Sequence, residues 1–210
     1  MKHACSLLAA ALVLASAPSD AQASAKQTPR MPVRIRATIE KLDNNLLTVK
    51  TDKGDRLTLE LTPKTNITGV DARTLADIKP PDFVGVTASL GSDQRLHAME
   101  VHIFPESLRG LGEGHFGAPD KNLTNATVAA TSASSDGETL TLNFVSKATG
   151  KTESTAIEIA RTVPVVAFVP GDAGLLKPGT DTMMLVAKEE DGDLIALGIV
   201  AEKDGVKLPQ

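Results

Sequence analysis

The sequence has no Trp and no Tyr, and only five Phe in 210 residues. Single strands are bound on stacked aromatic rings and duplexes by basic surfaces. With few rings, a formal charge of −4 and a pI near 5.6, the composition argues against nucleic acid as a partner. The one cysteine, Cys5, sits in the N-terminal leader, so neither a disulfide framework nor thiol chemistry is expected. No apolar run reaches the ~20 residues of a membrane-spanning helix. Nucleophile motifs of the Gly-x-Ser-x-Gly kind, phosphate loops and HExxH are absent. These gaps point to a non-enzymatic protein, with a divalent metal the sole cofactor candidate.

What is there begins with an export signal. Met1-Lys2-His3 is a basic start, residues 4–15 are mostly apolar, and Ala21-Gln22-Ala23 places small residues before a cleavage site. The pattern predicts a signal peptide over 1–23, removed after Ala23, and a periplasmic or secreted product of a Gram-negative cell. Cys5 precedes the apolar stretch, whereas a lipidated cysteine follows one. Lys2 and Asp20 leave together, so the charge is unchanged. The remaining chain must be held by burial alone.

Residues 24–32 are polar and read as disordered. Residues 33–41 then alternate, with Val33, Ile35, Ala37 and Ile39 on one face and Arg34, Arg36, Thr38 and Glu40 on the other. That is a half-buried strand. Further strands are expected at 46–51 and 56–61, joined through Asp52-Lys53-Gly54-Asp55, a hairpin signal. A short helix capped by Asp71 is expected over 72–77, then strands at 83–90 and 95–104. Three strands, a short helix and two strands in about 70 residues is the order of an OB-type barrel. An SH3-like barrel fits the same pattern.

The last part of this unit recurs. Residues 78–104 align without a gap on 176–202, an offset of 176 − 78 = 98. Lys79-Pro80 meets Lys177-Pro178, Asp93 meets Asp191 and Leu96 meets Leu194. Upstream, Leu47-Thr48-Val49 matches Leu140-Thr141-Leu142, and Ala37-Thr38 matches Ala130-Thr131, both offset by 93. The expectation is all-β: two tandem five-stranded OB-like barrels over 33–104 and 124–205, a Gly-rich charged linker over 105–123, and a tail over 206–210. In the second unit, Gly171 to Gly174 is read as a tighter turn replacing the short helix.

Chemistry concentrates at the junction. Period-two facing turns Met99, Val101 and Ile103 inward, as it does Leu197, Ile199 and Ala201. Glu100 and His102 then share the outer face, ~7 Å apart. Glu106, Arg109, Glu113 and His115 follow in the linker. These six are the candidate interaction residues. Glu100, His102 and His115 are the candidate ligands for zinc or another divalent metal, because imidazole nitrogen with carboxylate oxygen makes such a shell. His97 reads as a loop-end surface residue and Met184 as core.

The run Glu100-Val-His-Ile-Phe-Pro-Glu-Ser-Leu-Arg-Gly-Leu-Gly-Glu-Gly-His115, with Thr124-Asn-Ala-Thr-Val128 and Leu176-Lys-Pro-Gly179, resembles a family of secreted proteobacterial proteins with a repeated small β-barrel domain of unknown function. This chain departs from that pattern at Phe116-Gly117. The resemblance implies export and barrels, with no activity attached. The function expected is an exported binding or interaction module for a periplasmic protein, glycan or small ligand, or alternatively a metal-binding protein.

Overall fold

The computed structural model describes residues 31–117 and 121–209. The signal segment and residues 24–30 lie outside the described residues. Among those described the chain is all-β, and no helix is long and apolar enough to cross a membrane.

Three strands open the fold: β1 (Val33–Asp43), β2 (Leu46–Thr51) and β3 (Arg56–Arg73). Asn44, at φ 53°, and Gly54, at φ 91°, take the left-handed backbone that their turns require. β4 (Phe83–Leu90) and β5 (Leu96–Ile103) form a hairpin, and β6 (Gly114–Gly117) is a short strand. β7 (Asn122–Ala133), β8 (Gly137–Val145) and β9 (Thr152–Ala160) repeat the opening meander. β10 (Val165–Pro170), β11 (Asp181–Lys188) and β12 (Leu194–Ala201) complete the chain.

Two five-strand circuits close. One runs β1–β2–β3–β12–β11 and back to β1; the other runs β7–β8–β9–β5–β4 and back to β7. Each barrel therefore takes three strands from one half of the chain and two from the other. This replaces the expectation that 33–104 and 124–205 each close on themselves. The physical reason lies in the repeat itself. The pairs β4–β5 and β11–β12 carry the same inward pattern, so either can complete either meander, and local sequence does not say which.

The offset of 98 is kept in the elements. Phe83 to Asp181 and Leu96 to Leu194 are both 98. β4–β5 slips register at Thr87/Ala88, and β11–β12 at Leu185/Val186, with 185 − 87 = 98. The bulge reverses the facing of the residue beside it. Met99 and Leu197, expected inside, are 44% and 36% exposed, while Val101 and Ile199 are each 1% exposed.

The halves meet where β3 and β10 pair antiparallel. Val70 pairs with Phe168, and 168 − 70 = 98, so each residue faces its own counterpart. β3 is longer than expected because its far half is held by β10 on one edge and β12 on the other. Its end precludes the helix expected over 72–77. A single 3-10 turn, Leu75–Asp77, remains, and Asp77 rather than Asp71 caps it through Thr74. Asp71 instead accepts from Lys203 at 2.8 Å. The same 3-10 turn recurs at Ala173–Leu175, where only a tighter turn was expected.

Upstream the repeat is less regular. β4 pairs with β7 as β11 does with β1, and that register sets Thr127 against Thr38, an offset of 89 rather than 93. The next strands keep the offset of 93 (142 − 49), so the second meander is 93 − 89 = 4 residues longer between its first two strands. Each barrel has its own apolar core. Ile39, Leu47, Leu59, Met184 and Ile199 fill one, and Val86, Val101, Leu140, Leu142 and Ile157 the other. The linker is ordered where described, with a 3-10 turn at Glu106–Leu108 and β6 paired to β7.

Candidate functional site

The two barrels enclose a cavity of about 640 Å³ between their outer faces. Its deep wall comes from β4 and β5. Glu100 and His102 do point out of their own barrel, as the alternation requires. They are nevertheless buried, 7% and 9% exposed, because the other barrel covers them. Thr87 donates to Glu100 Oε1 at 3.0 Å. Asn125 Nδ2 donates to the Leu111 carbonyl at 3.2 Å, while its Oδ1 has no hydrogen-bond partner among the described residues.

His102 is held by rings. It stacks on Phe168 at 5.0 Å and meets Phe104 edge-on at 4.9 Å. Gly85 pairs with it across the hairpin, and a Cβ there would overlap the imidazole. Glycine is thus what makes room for the ring. Nδ1 finds no hydrogen-bond partner among the described residues. Burial, helped by the positive charge of Arg34, pushes the His102 pKa down to about 4, so the ring is neutral at ordinary pH.

The opposite wall comes from β11 and β12: Met183, Leu185, Gly198 and Val200. Under the offset of 98, Leu185 stands where Thr87 does, Gly198 where Glu100 does, and Val200 where His102 does. The backbone is repeated and the chemistry is not. Met184 is in the barrel core, as expected, and its neighbour Met183 faces the cavity. At the rim stand Arg34, Leu111, Phe116 and Lys121, all exposed. The C-terminal segment also reaches the site. Pro209 lines it, and its carbonyl accepts from the Arg36 guanidinium.

Of the six expected residues, only Glu100 and His102 line the cavity. Glu106 and Arg109 pair at 2.6 Å, and Arg109 also donates to the Pro81 carbonyl at 3.0 Å. That pairing holds the Arg109 pKa up and the Glu106 pKa down. Glu113 accepts from the Val145 backbone at 3.1 Å. His115 bonds Thr124 at 2.7 Å and stacks on Phe144. These four fasten the linker to the second barrel. What the linker offers the cavity is mainly apolar, with Leu108, Leu111 and Phe116, together with one cation, Lys121.

The metal set Glu100, His102 and His115 is not gathered. Among the described residues the one group with metal-like spacing is Asp93, His97 and Glu158, whose ligand atoms lie within 4.8 Å of one another. His97 shares the outer face of Glu100 and His102, because the bulge at Met99 reverses the alternation between them. It bonds Asp93 at 3.0 Å, and Arg95 already pairs with Glu158. This network stitches the seam where β5 meets β9 over only two register positions.

The apolar lining was missed by a reading that followed charge. A signal existed. Three of the chain's five Phe (Phe104, Phe116 and Phe168) line this one cavity. No family model matches the chain, and no curated protein or solved structure matches it.

Proposed function

We propose that the chain is an exported, non-enzymatic binding protein of two OB-like barrels. Its ligand is a small, mainly apolar molecule held between them. The observation that carries this is the cavity. Its volume of about 640 Å³ is within the range of small-molecule sites, and few polar groups converge on largely apolar walls. The OB-like reading is supported by the spatial order the two circuits share, a three-strand meander closed by a two-strand hairpin. Export and the tandem-repeat origin rest on the leader sequence and the offset of 98.

The test uses the full chain and N-phenyl-1-naphthylamine, a neutral apolar dye that brightens on leaving water. Saturable binding of one dye per chain is expected. Gly198→Phe should abolish it, because a Cβ at Gly198 meets only the Asn66 carbonyl at 3.8 Å and a larger side chain can enter the cavity. Dye binding unchanged in Gly198→Phe would refute the reading.

A further inference from the structure

The charge around the cavity specifies the ligand further. Among its lining residues Arg34 and Lys121 are cationic and Glu100 is the single carboxylate, giving 2 − 1 = +1 with His102 neutral. The whole chain carries −4, so a positive mouth runs against the overall balance. Position sharpens this. Glu100 is buried and engaged by Thr87. Arg34 and Lys121 are both exposed at the rim and make no ion pair among the described residues. Arg34 stands on β1 directly opposite Leu185 of the apolar wall. Lys121 immediately precedes β7.

An occupant lying along the apolar wall therefore has its outer end at a rim that carries both cations. We infer that the cavity takes an amphiphile with an apolar body and a single carboxylate, the carboxylate held at the rim by Arg34 and Lys121. This rests on the cavity being the binding site. A neutral ligand would leave both cations without use, and a cationic one would meet repulsion at the mouth. The body faces Phe168 and Met183, and dispersion and area removed from water supply most of the affinity there. The carboxylate adds selectivity, and because it sits in high dielectric its contribution is modest and screened by salt.

The experiment is calorimetric titration of the full-length protein with dodecanoate and dodecyltrimethylammonium below their critical micelle concentrations and with dodecanol below its solubility limit. These share one apolar body and differ in the charge of the head. Dodecanoate is expected to bind about tenfold tighter than dodecanol, with the cation weakest. In Arg34→Gln/Lys121→Gln the preference for dodecanoate over dodecanol should fall to near unity. Raising salt should narrow the same gap. Dodecanol or the cation binding as tightly as dodecanoate overturns the carboxylate assignment and leaves the cavity reading standing. An unchanged preference in the double variant overturns it too. If none of the three binds and the neutral dye also fails, the cavity reading falls and this inference with it. Dodecanoate binding that persists in Gly198→Phe would place the anion elsewhere and refute the assignment.

Discussion

The hairpins β4–β5 and β11–β12 have the same strand lengths, the same bulge and the same inward positions, yet their outer faces differ. One shows Thr87, Glu100 and His102 to the cavity; the other shows Leu185, Gly198 and Val200. Inner positions are tied to a packed barrel and are apolar in both hairpins except at Thr182, which is buried and donates to the Ala37 carbonyl at 2.7 Å. Outer positions face the space between the barrels, and there the two hairpins differ in polarity.

The largest test asks whether the inner faces are truly equivalent. Val101→Asp and Ile199→Asp each bury an unpaired charge at a position 1% exposed. Each should cost more than about 4 kcal/mol in urea unfolding followed by circular dichroism. Because both barrels draw on both halves of the chain, each variant should lose both barrels in one transition. Two separate transitions would mean the barrels do not share stability.

The next effect belongs to one outer face alone. His102 titrates at about 4 when folded, against 6.5 ordinarily. Between those values the unfolded chain takes up a proton that the folded chain refuses. Stability is therefore intact above pH 6.5 and falls as pH drops towards 4, by about 3 kcal/mol. In melting curves recorded against pH, His102→Phe should remove this slope and keep the stacking on Phe168. Val200→Ala, at the matching position, should leave the slope in place.

Gly85 sharpens the contrast at intermediate scale. Gly85→Ala forces the His102 ring to move and should cost about 2 kcal/mol in chemical denaturation. The cost should largely vanish in the His102→Ala background. Its counterpart, Met183, already carries a long side chain, and Met183→Ala should be milder because that residue borders a cavity rather than a packed core. The smallest effect lies at the β5–β9 seam. Glu158→Gln weakens partly exposed pairs with Arg95 and His97 and should cost under about 1 kcal/mol, read as a small shift in melting temperature.

Strands and turns were legible because alternation, Asn44 and Gly54 report local backbone needs directly. The closed five-strand barrel was legible for the same reason. Partner choice was not. The sequence holds two interchangeable hairpins, and exchange between them leaves every local pattern intact. Glu100 and His102 were identified by type, and their facing was read correctly. Their burial was invisible because it depends on the other barrel. Met99 was misplaced by a bulge, which shifts parity without any marker as strong as glycine or proline.

The exchange of hairpins also sets a timetable for synthesis. Thr38 on β1 bonds Asp181, which lies 143 residues later in the chain. At 5–20 residues per second the ribosome takes on the order of ten seconds to make that partner. The barrel built on β7 has all its strands once Ala160 is made, whereas the barrel built on β1 waits for Ala201. In that interval β1 is an open edge, the kind that recruits other strands and aggregates. Its outward residues Arg34, Arg36, Glu40 and Lys41 are charged. Pairing a second copy in parallel register would set like charges side by side, so in that arrangement the first strand made carries its own protection until the last is made.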